Sequence, residues 1–329
     1  MFLVMALGFV ARRKGYFSAE ATRTISLFVV DVAFPSLVFV SFLRTIDAAS
    51  LRQQWFLPVL GFGLILLGHV VGVVLAPLFV ERKQRGTFWF ICGMSNWVYL
   101  PLPIVEALYG NEGIRAILLF NVGGQIVLWT VLVGGLRKGG PGKESLKNLV
   151  LNPGLWATAA GIVLALLFPQ LGEALDVPTA AASSGQLVMK TFLQPLEMVG
   201  RVTIPISLIV IGAQLAGLTE RAGGACLFPP DRAVVGNMIA RLVVAPAIYV
   251  LVMQGLLSLG VTMMPQPLAI TYIVSTMPAA VSCGIIVERF GGDTALASRG
   301  VLYTTVVALF SVPGFFALLQ WLGIVAERV

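Results

Sequence analysis

Charge is scarce in this 329-residue chain: Asp, Glu, Lys and Arg together make up 11%, and there is a single histidine. A soluble globular domain carries roughly 25% charge, so a soluble protein is excluded. One histidine rules out the two-histidine HExxH zinc site, and the sequence has no glycine-rich P-loop to cradle a nucleotide phosphate. The Gly-Gly-Asp at 291–293 is not the GxGD of an intramembrane aspartyl protease, and it falls in a predicted loop. Enzyme and ATP-driven pump readings therefore fail on inventory. The cysteines, Cys92, Cys226 and Cys283, follow no pairing pattern and specify neither a disulfide framework nor a metal site.

What is present is apolar: 58% of the residues. At ~20 apolar residues per crossing, segments at 1–11, 24–43, 55–80, 87–108, 114–136, 153–170, 198–218, 234–259, 267–288 and 296–322 predict ten membrane helices. The first has its basic cluster, Arg12-Arg13-Lys14, after the apolar run, the reverse of a signal peptide. It is also short, so either its start is truncated or it does not fully cross. The seventh is uncertain because Glu197 and Arg201 sit at its entrance. Most of the Lys and Arg that make the net charge +7 fall in the connections after odd-numbered spans, at Arg12–Arg23, Arg82–Arg85, Arg137–Lys147, Arg221–Arg232 and Arg289–Arg299. The positive-inside rule then puts those connections in the cytoplasm and both termini outside. The charge reports topology, and nucleic acid is not an expected partner.

A polar linker at 137–150 separates two halves, 1–136 and 151–329, that resemble each other. Val105-Glu106 and Gly110-Asn111 match Val287-Glu288 and Gly292-Asp293 at a constant offset of 182, and AFPSLVFVSF (33–42) echoes TIPISLIVIG (203–212) at an offset of 170. Five spans per half is an odd number, so the copies enter the membrane in opposite directions, a recurring construction of secondary transporters.

The candidate chemistry lies where two spans are interrupted. Span 4 carries Pro101 and Pro103 just after Ser95, Asn96 and Tyr99, and span 9 carries Pro278 among Ser275, Thr276 and Ser282. A proline inside a helix leaves a carbonyl without its donor, and irregular backbone survives at membrane depth only inside protein or against a wet cavity. Paired breaks at equivalent places point to a midplane binding site. Asn121 and Gln125, one turn apart in span 5, read either as cavity-facing or as interhelical hydrogen-bonding residues. Asp31, His69 and Arg241 are ionisable residues at depth and candidates for coupling. Arg241 either neutralises a carboxylate or, the favoured reading, snorkels toward the cytoplasmic interface, while Glu106 and Glu288 read as structural helix ends.

The runs GYFSAEATRTISLFVVDVAFPSLVF, GMSNWVYLPLPIVEALYGNEG, LNPGLWATAAGIVLALL, IPISLIVIGAQLA and MPAAVSCGIIVERFGGDTALAS resemble the auxin-efflux-carrier family, in its bacterial branch, over nearly the whole chain. The resemblance implies an all-α, ten-helix 5+5 inverted repeat with broken, crossing spans 4 and 9. Spans 1, 2, 6 and 7 would form a scaffold that often dimerises, and spans 3–5 and 8–10 a moving core. It also implies transport of small organic anions across the cell inner membrane without a cofactor, with Na+ or H+ coupling open. A channel or a membrane sensor on the same scaffold is the alternative. Asn96 and Pro103 match the family's first-crossover motif Gly-Asn-x-Gly-x-x-Gly-x-Pro, but Ser95, Val98 and Pro101 replace its glycines, and Ser282 stands where Asn is frequent in the second.

Overall fold

A computed structural model describes residues 2–136, 143–178, 182–221 and 230–325. Residues 137–142 of the predicted linker, Cys226 and Arg328 lie outside the described residues. The described chain is almost entirely helical, and its only β-pairing is one isolated antiparallel bridge, Ser95 with Ala279.

In chain order the helices are α1 (Phe2–Arg13), α2 (Ala19–Thr45), α3 (Ala48–Phe79), α4 (Arg85–Gly93), α5 (Pro101–Leu136), α6 (Lys143–Val150) and α7 (Pro153–Leu167). They continue as α8 (Gln170–Asp176), α9 (Ser184–Arg201), α10 (Thr203–Arg221), α11 (Arg232–Ser258), α12 (Pro265–Ser275), α13 (Cys283–Arg289) and α14 (Thr294–Trp321). Among the described residues six helices are long and apolar enough to cross a membrane, the run from Ser184 to Glu220 counting as one. A seventh follows if α7 and α8, bent by 95°, form one span.

The helix starts are written locally. Ser18 accepts from the Ala21 N–H at the head of α2, Asp47 and Ser50 form a capping box before α3, and Asn152 caps α7 just ahead of Pro153. Each such cap satisfies N–H groups that a helix start leaves without partners. Prolines 35 and 246 each follow a single π-turn, at Val29–Ala33 and Ala240–Val244, which absorbs the missing N–H without ending the helix. Pro205 instead follows a one-residue interruption at Val202, between α9 and α10, across which the span continues.

The seventh apolar segment therefore begins earlier than its hydropathy suggests. Its helix starts at Ser184 behind a Ser183–Gln186 capping box and carries Glu197 inside. That carboxylate is tolerated because Arg44 and Arg201 hold it at 2.6 and 2.5 Å.

The helices pack as two groups. α1 lies along α10, with Gly8 and Gly212 each set against the other helix's backbone, and α2 packs on α7, α9 and α10. In the second group α3 packs on α4, α5 and α11, while α14 packs on α4, α11 and α13. The groups meet mainly where α2 touches α5 and α10 touches α14. Small residues at these crossings let helices approach in lipid, where no hydrophobic effect drives them together. Large apolar side chains such as Val74, Leu251, Phe310 and Trp321 face outward.

Candidate functional site

α4 ends at Gly93 and α5 begins at Pro101, while α12 ends at Ser275 and α13 begins at Cys283. The two non-helical stretches, 94–100 and 276–282, are thus seven residues each and 182 apart, the interval of the sequence echo. They pair through backbone: the Asn96 N–H donates to Pro278 O at 2.8 Å and the Ala280 N–H to Met94 O at 2.9 Å. The Thr304 hydroxyl of α14 accepts from the Ala279 N–H at 3.2 Å. Each interruption thereby satisfies backbone groups of the other, as a lipid setting demands.

The prolines act differently from the expected mid-helix kinks. Pro101 is the first residue of α5, where a missing N–H costs nothing. Pro278 lies inside the second interruption, and its carbonyl is used by Asn96. Gly110, at φ +58° and ψ −144°, then bends α5 so that 101–109 forms a short limb of its own. A side chain at such a φ is disfavoured, which suits glycine.

Arg241 corrects the sequence reading most sharply. It does not snorkel: the residue is 0% exposed and points at the interruptions. Its Nε donates to Met277 O at 2.9 Å, one terminal nitrogen to Ser275 O at 3.0 Å and the other to Cys92 O at 3.3 Å. The reason is that α4 and α12 both end here. Their loose carbonyls carry about half a negative charge per helix end, a closer counter-charge than the interface offers.

The remaining predicted residues divide. Ser95 and Asn96 are buried within the first interruption. Asn96 Oδ1 accepts from the Leu100 N–H at 3.3 Å, and Ser95 Oγ is buried without a partner. Tyr99 is half-buried, its ring 5.6 Å from that of Phe34 on α2, and Pro103 lines an apolar cavity with Val4, Ile204 and Pro205. The Ser275 and Thr276 hydroxyls donate back to Tyr272 O and Ile273 O, both at 2.7 Å, and Ser282 is exposed.

Asn121 and Gln125 build a polar ladder. Asn121 Oδ1 accepts from Trp97 Nε1 at 2.9 Å and from Gln125 Nε2 at 3.4 Å. Gln125 Oε1 accepts from Trp129 Nε1 at 3.2 Å and from Asn152 Nδ2 at 3.3 Å. The ladder runs from Trp97 in the first interruption, along α5, to Asn152 at the start of α7.

Asp31 is exposed on the π-turn of α2. His69 is half-buried with its ring edge-on to Trp89, 6.3 Å between centroids. Among the described residues neither makes a side-chain hydrogen bond to the interruptions. Two residues that sequence reasoning missed do contribute. Thr304 holds Ala279, and Asn237, fully buried one turn before Arg241, donates to Cys92 Sγ at 3.4 Å. The four-residue spacing of Asn237 and Arg241 on an otherwise apolar helix was the available signal; Thr304 had none.

Two cavities with charged residues in their walls open where the helix groups meet. One, of ≈450 Å³, is lined by Arg44, Glu106, Asn111, Glu197 and Arg201; the other, of ≈260 Å³, by Leu218, Glu288, Ser298 and Arg299. Glu106 and Glu288 are again 182 residues apart.

Long apolar helices with outward-facing apolar side chains, and buried backbone gaps that satisfy one another, mark an integral membrane protein. The chain belongs to the membrane transport protein family, the auxin-efflux-carrier family of the sequence resemblance, whose model matches residues 1–143 and 141–316. It is 23% identical over 319 residues to an uncharacterized transporter of Methanothermobacter thermautotrophicus, covering 94% of this chain and 93% of the relative. It is 20% identical over 316 residues to an uncharacterized transporter of Methanocaldococcus jannaschii, covering 93% and 92%.

Proposed function

We propose that the chain is a secondary transporter of small organic anions, mono- or dicarboxylates, working by alternating access in a cell inner membrane. In this reading ten spans form two inverted halves, 1–136 and 151–329, joined by the 137–150 linker, with both termini non-cytoplasmic. α1, α2, α7, α9 and α10 make the scaffold and the homodimer contact; the remaining spans make the moving core. The separation of helix packing into those two groups supports the division.

The observation that carries the proposal is the mutual hydrogen bonding of two seven-residue interruptions 182 positions apart. Beside it, Ser95 Oγ is buried and unpartnered, a donor left for a ligand. With Asn96 Oδ1 engaged by Leu100, the Asn96 amide NH2 is the group that donates to a carboxylate. Tyr99, Pro101, Pro103 and Pro278 shape the space, and Ser275, Thr276, Ser282, Asn121 and Gln125 support it. Asp31 and His69 are the side chains left for proton coupling. The two cavities containing Glu106 and Glu288 are the opposite mouths.

The test is a thermal-shift screen of the purified protein against carboxylates at two pH values, followed by flux in proteoliposomes with the best stabiliser. Saturable uptake with counterflow is expected. Current without trans-stimulation would make it a channel, and binding without flux a sensor.

A further inference from the structure

We propose that Arg241 is a resident cation: its guanidinium fills the carbonyl cage where α4 and α12 end, and so the paired interruptions hold together without an alkali ion. The proposal goes beyond the transport reading and does not depend on what is carried.

The cage is made of Cys92 O from one half of the chain and Ser275 O and Met277 O from the other. Converging backbone carbonyls at a broken helix are the ligands that hard cations take in membrane proteins. Here all three accept from N–H groups of one fully buried side chain. Among the described residues no carboxylate pairs with Arg241. A lone buried charge would be untenable without compensation. Two helix C-termini supply it, at about half a negative charge each, so the cluster is close to neutral. With all three carbonyls engaged by the guanidinium, the cage offers sodium no free backbone ligand.

The neighbours are shaped for that arrangement. Asn237, one turn earlier on α11, holds the Cys92 thiol and so fixes the end of α4. Gly68 of α3 makes room: a Cβ there would lie 2.6 Å from Cys92 O and 2.9 Å from the guanidinium. Because the cation is tethered, it cannot leave with substrate, and the charge moved per cycle through this centre is that of the substrate alone.

The experiment uses the purified full-length protein in detergent, melted in NaCl, KCl, LiCl and choline chloride at one ionic strength. The wild type is expected to melt at the same temperature in all four. Arg241→Met should lose roughly 10 °C and regain part of it in NaCl or in millimolar guanidinium chloride over choline. Arg241→Lys should keep most of the wild-type stability and remain indifferent to the salt. A saturable sodium stabilisation of the wild type would overturn the proposal. So would an Arg241→Met protein as stable as wild type, or one destabilised alike in every salt and with guanidinium. Should the Met variant not be recoverable, the wild-type titration and the Lys variant decide: Lys behaving as sodium-dependent overturns it. The readout uses no substrate, so failure to find organic-anion flux would sink the proposed function and leave this inference intact.

Discussion

The backbone N–H of Asn96 reaches the carbonyl of Pro278 at 2.8 Å, and the two residues stand 182 positions apart, the interval that also separates Glu106 from Glu288. One sequence interval thus relates the paired backbone, the helix ends that flank it and the acidic residues of two cavities. A chance echo of a few residues has no reason to reproduce the lengths of both interruptions.

Asn96→Ala removes both the amide donor and the acceptor that caps Leu100. We expect substrate affinity to fall by roughly 10- to 100-fold, the worth of a hydrogen bond to a charged group. The lost cap costs only about 1 kcal/mol, a melting shift of about 2–4 °C. Unchanged half-saturation in proteoliposome uptake would refute the role.

Pro278→Ala restores an N–H to the second interruption and lets α12 extend toward it. The expected phenotype is slower turnover with folding preserved, read as a reduced maximal flux beside a near-normal melting curve. Wild-type flux would show that the proline does not hold the interruption open.

Asn121→Leu strips the acceptor from Trp97 Nε1 inside the protein. An unsatisfied buried donor costs about 1–3 kcal/mol, so the melting temperature should drop by several degrees. Gln125→Leu leaves the Trp97 bond in place and cuts the ties to Trp129 and Asn152, both only half-buried. It should therefore change transport rate more than stability, and equal melting losses for the two variants would contradict that order.

Gly212→Val drives a branched side chain into the backbone of α1 at Met5. Because the obstacle is main chain, it cannot rotate away, and we expect at least the 1–3 kcal/mol typical of overpacking. Gly217→Val, on the same helix with open space around it, serves as the control. Matching thermal stabilities for the two would disprove the close α1–α10 contact.

Much of this was legible in the residues. Pro101 and Pro103 in one apolar segment and Pro278 in another marked both interruptions, because a missing N–H in lipid has few remedies. The spacing of Glu106 and Glu288 foretold the interval between them. Arg241 was misread for a physical reason: hydropathy knows the distance to the interface but not that two helix ends converge beside the side chain. For Ser275 and Thr276 the residues alone did not say where the hydroxyl protons go: each is spent on its own helix, a choice that only coordinates reveal. The start of α9 was missed because Glu197 looked like a boundary until Arg44, a partner 153 residues away, was in view beside Arg201 one turn on.

The bridge between Ser95 and Ala279 also bears on biosynthesis. The first half leaves the ribosome with Met94 and Asn96 lacking the partners that complete them, and those partners are translated some 180 residues later. Until then the nascent segment has to be sheltered by the insertion machinery or by water. Two halves produced as separate polypeptides should consequently be unstable alone and rescue each other when made together.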